Sequence, residues 1–175
     1  VHGGPTSAVR PGLQIPFQYW TSRGFAVLDV NFRGSTSFGR PYRERLNGNW
    51  GVMDVQDCID GAQYLIDLGR VDPRRIAIRG RSSGGFTVLN ALASSDVFTA
   101  GASFSGIADL AKLAETSHKF ESHYLGQLMG TQDLDDQVTD ERRPINHIED
   151  TNVQLLLIPG SADPIAPAAQ ATAMY

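Results

Sequence analysis

The chain has 175 residues, 41% of them hydrophobic and 19% charged, with a net charge of −4. This length fits one ordinary domain, and the balance is that of a folded globular protein, not a disordered one. Neither charge sign clusters, no apolar run approaches the ~20 residues that span a bilayer, and Cys58 is the only cysteine; these features point away from nucleic acid, membranes, intrachain disulfides and C-x-x-C metal sites.

The chain opens on the glycine-rich loop Val1-His2-Gly3-Gly4-Pro5 and closes on an alanine-rich run at Tyr175. Neither resembles a polar, loosely held terminus, so the sequence is read as a piece of something longer, truncated at both ends. No signal peptide opens it, and a cytoplasmic location is the expectation.

After the opening loop, Leu13, Phe17 and Trp20 predict a helix from Leu13 to Ser22, with Pro16 delaying its start. Gly24 to Phe32 is β-branched and apolar and predicts a buried strand. A loop follows, with a helical turn near Tyr42 to Leu46. Val52, Val55, Ile59, Ala62 and Ile66 predict an amphipathic helix over 52–68, capped by Gly69. Arg75 to Arg79 predicts a short strand, Gly84 to Ser94 a helix of small and apolar residues, and 99–106 a third strand. Helices are expected at 106–115, at Lys119 to Met129 and from Ala166 onward, and Asn152 to Gly160 reads as the clearest strand of all. Strands alternating with helices imply an α/β fold, a mostly parallel sheet with helices on both faces.

The chemistry-bearing stretch is Arg79-Gly80-Arg81-Ser82-Ser83-Gly84-Gly85-Phe86. A strand followed at once by G-x-S-x-G and a small-residue helix has the form of a nucleophile elbow. In that turn, residues two before and two after the serine must be small. Ser82 satisfies this through Gly80 and Gly84, whereas Ser83 would have Arg81 at that place. Ser82 is therefore the candidate nucleophile, with the backbone N–H of Ser83 as an oxyanion donor. A plain glycine-rich turn or phosphate loop is the competing reading; the Gly-Lys-Ser/Thr of a Walker loop is absent.

Acyl transfer needs a second donor at the developing oxyanion. His2-Gly3-Gly4-Pro5 has the form of the loop that supplies it, with Gly4 preferred over Gly3. Asp163, after the apolar run Leu155 to Ile158, falls at the carboxyl edge of a parallel sheet, where such sites form. It is a candidate acid for orienting a histidine, or a helix N-cap.

Six ordered segments then resemble one family: "VHGGP", "SRGFAVLDVNFRGSTSFG", "NWGVMDVQDCIDGAQYLID", "VDPRRIAIRGRSSGGF", "HKFESHYLG" and "IPGSADPIAP". Together they are similar to the prolyl oligopeptidase family of serine peptidases, particularly its acylaminoacyl-peptidase-like branch. The resemblance implies an α/β-hydrolase fold, with residues 1–175 as part of a catalytic domain. A β-propeller would precede it and a histidine-bearing segment would follow; both are expected to be absent from this chain.

By the same resemblance, Ser82 is the nucleophile and Asp163 the triad acid. Ser83 and the His2-Gly3-Gly4 loop form the oxyanion hole, and Tyr124 is a wall of the substrate pocket. Ser83 and Arg81 depart from the residues common in the family; Ser83 is expected to open the specificity pocket and Arg81 to put a cation beside it. Arg33, Asp54 and Asp57 are expected to be scaffold. The implied substrates are short peptides, with no metal and no cofactor; the sequence fixes no oligomeric state. The family's histidine would fall beyond Tyr175, and His2, His118, His123 and His147 do not occupy its place, so this chain alone is expected to be incompetent. A carboxylesterase or lipase on the same site, or a non-catalytic binding descendant, are the alternatives.

Overall fold

The computed structural model describes residues 1–116, 122–132, 137–148 and 151–174. Its centre is a parallel sheet of β1 (Ala77–Arg81), β2 (Ala100–Phe104) and β3 (Gln154–Ile158), in that spatial order. Ala77 pairs with Ala100 and Ala100 with Gln154; at the other end Arg81, Phe104 and Ile158 lie in one row. All three strands thus end together, and whatever follows them collects along one edge. This is the α/β arrangement that the alternating pattern predicts.

The helices in chain order are α1 (Ile15–Thr21), α2 (Arg40–Arg43), α3 (Met53–Asp67), α4 (Ser83–Ser94), α5 (Leu110–Thr116), α6 (Ser122–Met129), α7 (Gln137–Asp140) and α8 (Ala168–Thr172). Single 3-10 turns occupy Glu44–Leu46 and Pro144–Asn146. Helix α4 is buried from Ser83 to Leu92 because its small and apolar residues lie directly on the sheet. Phe86 joins one core with Phe32, Leu46, Trp50, Leu125, Leu128 and Met129. Val88, Ala91 and Leu92 join a second with Val55, Cys58, Ala62 and Ile78. On the opposite face the Arg79 guanidinium lies 5.9 Å from the Trp20 ring of α1 and 5.0 Å from the Phe104 ring.

Two expectations need correction. The run Gly24 to Phe32 begins in a turn and carries no strand pairing among the described residues. Its apolar residues Phe25, Val27 and Leu28 stand exposed. β-branched composition reports fitness for a ladder, whereas a strand exists only when a neighbour supplies the hydrogen bonds. The buried stripe of α3 is also rotated from the one expected: Asp54, Val55, Cys58 and Ala62 are buried, and Val52 is exposed. The cause is a polar contact. Asp54 accepts from the Thr87 hydroxyl of α4 at 2.5 Å and from the Gly51 N–H at 2.7 Å.

Arg33 and Asp57 form the scaffold pair expected of them. The Arg33 backbone N–H, Nε and Nη2 reach Asp57 at 2.6, 2.8 and 2.6 Å.

Burial holds the Asp54 carboxyl up at about 6, against the donated hydrogen bonds, which act the other way. A folded value above the unfolded one means that ionisation disfavours the fold. Stability from this group is full at low pH and is lost as pH rises through about 6. Asp54→Asn cannot ionise, so the difference in unfolding free energy between wild type and variant should shrink by about 2 kcal/mol between pH ~4.5 and ~7.5. Urea unfolding of the full-length protein at a series of pH values measures it; a pH-independent difference would contradict the assignment.

Candidate active site

Ser82 sits between β1 and α4, with φ 56 and ψ −123. A non-glycine residue in this region is strained, by on the order of 1–3 kcal/mol, and persists only where its surroundings impose it. Those surroundings are visible in the glycines. A Cβ on Gly80 would overlap the Gly84 carbonyl, and one on Gly84 would lie 2.6 Å from the Val1 oxygen and 2.8 Å from the His2 oxygen. The turn is pinned by the Ser82 N–H to the Phe104 carbonyl at 2.9 Å and by Gly85 N–H to the Ser82 carbonyl at 2.8 Å. Ser82 is half-buried and its hydroxyl has no hydrogen bond among the described residues.

Ser83 differs in kind. Its side chain is 3% exposed and its hydroxyl is enclosed without a partner among the described residues. As the first residue of α4, its N–H has no acceptor within the helix.

The opening loop lies against this turn. A Cβ on Gly3 would meet the Arg81 carbonyl at 3.0 Å, a tight contact, and the Ser82 Cβ at 3.7 Å, so the Gly3 backbone packs directly against the serine turn. Gly4 has φ +127 and begins a tight turn in which the Ser7 N–H bonds the Pro5 carbonyl at 2.9 Å. His2 is held on both ring nitrogens: Nδ1 lies 2.9 Å from the Gly3 carbonyl and Nε2 2.8 Å from the Ser35 hydroxyl. Its ring stacks on Phe32 at 4.2 Å. Burial pushes its pKa below the ordinary histidine value, so His2 is a neutral strut of the loop.

Asp163 follows β3, and Ser82 follows β1 two strands away, a separation of roughly 10 Å at ordinary strand spacing. Its Oδ1 accepts from the N–H groups of Ile165 and Ala166, each at 3.0 Å. The Ala166 N–H, then the Ser105 hydroxyl and the Ile165 N–H, hold this carboxyl below the usual carboxylate range; Arg81 adds to the effect through its charge. Ser105 directly follows β2 and has φ 44, so a residue after the middle strand reaches the acid after the outer one. The sequence reading passed over Ser105, and a serine after an apolar strand gives little to find it by.

Arg81, the last residue of β1, is exposed, and its guanidinium makes no hydrogen bond or ion pair among the described residues. Tyr124 of α6 is half-buried against the core around Trp50, and its hydroxyl bonds the Thr6 hydroxyl at 2.6 Å. That tie to the opening loop was not foreseen either. His123 and His147 are exposed, and His118 lies outside the described residues. No hydrogen bond joins His2, His123 or His147 to Ser82 or Asp163. Among the described residues, no group of three or more His, Cys, Asp or Glu could hold a metal, and no helix is long and apolar enough to cross a membrane.

The arrangement can be compared with known proteins. The chain is 33% identical over 172 residues to dipeptidyl aminopeptidase BIII of Pseudoxanthomonas mexicana, covering 94% of this chain and 25% of that protein. A puromycin-hydrolyzing peptidase of Mycobacterium tuberculosis superposes with a TM-score of 0.95 at 47% identity, over 99% of this chain and 26% of that one. The acylaminoacyl peptidase of Pyrococcus horikoshii gives 0.92 at 28% identity, over 100% of this chain and 29% of its own. The chain therefore spans about a quarter of the length of these relatives. The parallel sheet and its helices match part of the α/β-hydrolase domain of such peptidases. The family model for the prolyl oligopeptidases matches residues 11–175, and the chain belongs to the prolyl oligopeptidase family.

Proposed function

We propose that these residues are the serine- and aspartate-bearing part of the catalytic domain of a serine peptidase acting on short peptides. The observation that carries the reading is the strained Ser82, held at a strand-to-helix turn with the Gly3 backbone packed beside it. Ser82 is the nucleophile, and the N–H groups of Ser83 and Gly4, with Gly3 as the less favoured donor, face the oxyanion. Asp163 is the triad acid, and Arg81 and Tyr124 border the substrate pocket. The base is a histidine outside these 175 residues, in a protein whose N-terminal part is a β-propeller that restricts access.

In the first half-reaction the Ser82 Oγ attacks the peptide carbonyl while the histidine takes its proton. The C–N bond then breaks as that proton passes to the leaving amine. In the second half-reaction water, deprotonated by the same histidine, attacks the acyl-enzyme, and the proton returns to Ser82 as the acid product leaves. Asp163 keeps the imidazole oriented and stabilises it while charged.

A serine hydroxyl without a base is a weak nucleophile, so a fluorophosphonate probe should label Ser82 feebly in the 175-residue chain and strongly in the full-length protein. Equal strong labelling of both would refute the assignment of the base to another part of the protein.

A further inference from the structure

Gly3 and Gly4 must be held still if they are to donate to an oxyanion, yet neither N–H makes a backbone hydrogen bond among the described residues. The loop's ties come from its neighbours. His2 bonds Ser35, Ser7 accepts from the Thr36 N–H at 2.7 Å, and Thr6 bonds Tyr124 at 2.6 Å. The first two lead back to the irregular segment around residues 35 and 36. At the start of the loop the Val1 ammonium donates to the Arg79 carbonyl of β1 at 2.6 Å; beyond the glycines, only the Thr6 bond leads to a helix.

That helix is firmly seated. The Gly48 and Trp50 N–H groups bond the Gln127 and Leu128 carbonyls of α6 at 3.0 and 3.2 Å. Leu125, Leu128 and Met129 are buried in the same core as Phe86. Phe86 belongs to α4, the helix that Ser82 precedes. The Tyr124 hydroxyl therefore fastens the glycine loop to the packed body that carries the nucleophile.

We propose that Tyr124 is a positioning residue: through the Thr6 hydroxyl it sets the distance between the Gly3-Gly4 backbone and Ser82. This rests on the reading of Ser82 and the glycine loop as an acyl-transfer site. It assigns the Tyr124 hydroxyl a part in turnover that a packed aromatic wall would not have. The ring fills the core and the oxygen locks the loop.

The test uses the full-length protein and an aminoacyl p-nitroanilide, with active sites counted by fluorophosphonate titration. Tyr124→Phe keeps the ring and removes only the oxygen. Its kcat should fall about ten-fold with KM within about two-fold, the cost of loosening an oxyanion donor instead of deleting it. Thr6→Val should fall equally, Thr6→Ser should retain wild-type turnover, and the Tyr124→Phe/Thr6→Val double variant should be no worse than either single one. Unchanged kcat per active site in Tyr124→Phe, a rise in KM alone, or additive losses would overturn the proposal. Undiminished turnover in Ser82→Ala would instead refute the acyl-transfer reading beneath it, so the two failures are told apart.

Discussion

Ser82→Ala is expected to lower kcat of the full-length protein by about 10⁶-fold while leaving its folding intact, by the scale of nucleophile deletions in other triad enzymes. The fold should tolerate the change for reasons visible at the site. The Ser82 hydroxyl makes no hydrogen bond among the described residues, so its removal leaves no buried partner stranded. Alanine at φ 56 is as strained as serine, and that strain is imposed by the contacts of Gly80 and Gly84, which do not change. The variant should therefore melt at the wild-type temperature and bind substrate with similar affinity. A residual rate of about 10³–10⁴ over water would come from the oxyanion donors and from binding alone. Turnover and thermal melting of the purified variant test both halves. Activity within ten-fold of wild type would remove Ser82 from the chemistry.

The features that could be read in the sequence are those whose cause is local. The turn at Ser82 is one, because the crowding that demands glycine at 80 acts between residues four apart in the chain, although the crowding at Gly84 comes from the distant Val1 and His2 carbonyls. The strands at 77–81, 100–104 and 154–158 are others, since their apolar runs are bounded by turn residues. Even so, β1 ends two residues later than Arg79, because its limits are set by the rows it shares with β2 and β3. The stretch from Gly24 to Phe32 has strand composition without strand pairing for the same reason: a ladder is a property of two segments. Turns α7 and Pro144–Asn146 were not foreseen, being too short for any period to register.

Within the site, the residues named from motif position are close in sequence to the glycines that frame them. The ties that were missed join a hydroxyl to a group far away in the chain: Thr6 to Tyr124 and Thr87 to Asp54. Serine, threonine and tyrosine are common on any surface, and nothing in a local pattern distinguishes one that will meet a carboxylate across the fold. Such contacts follow from packing, and packing is known only once the elements are placed.

Asp163 poses the sharpest choice, because its loop-capping contacts are compatible with the catalytic role proposed for it. Its Oδ1 accepts from the N–H groups of Ile165 and Ala166, a loop-capping task that any side-chain oxygen two atoms from Cα could perform. Asp163→Asn separates the two. Asparagine can present its carbonyl oxygen to both N–H groups, so the loop stays in place and the protein should melt within a few degrees of wild type. The amide carries no charge, however, and offers an N–H where the imidazole requires an acceptor. A histidine facing it would adopt the wrong tautomer, and its charged form would lose its counter-charge. If Asp163 is the triad acid, kcat should fall by about 10⁴-fold, with fluorophosphonate labelling of Ser82 slowed in parallel. If Asp163 only caps the loop, both should stay within a few-fold of wild type. Asp163→Ala loses the cap as well, so it should add a loss of stability to the loss of rate. Rate loss in the alanine variant alone, tracking its melting temperature, would leave Asp163 a structural residue and require the acid to be sought elsewhere along the carboxyl edge of the sheet.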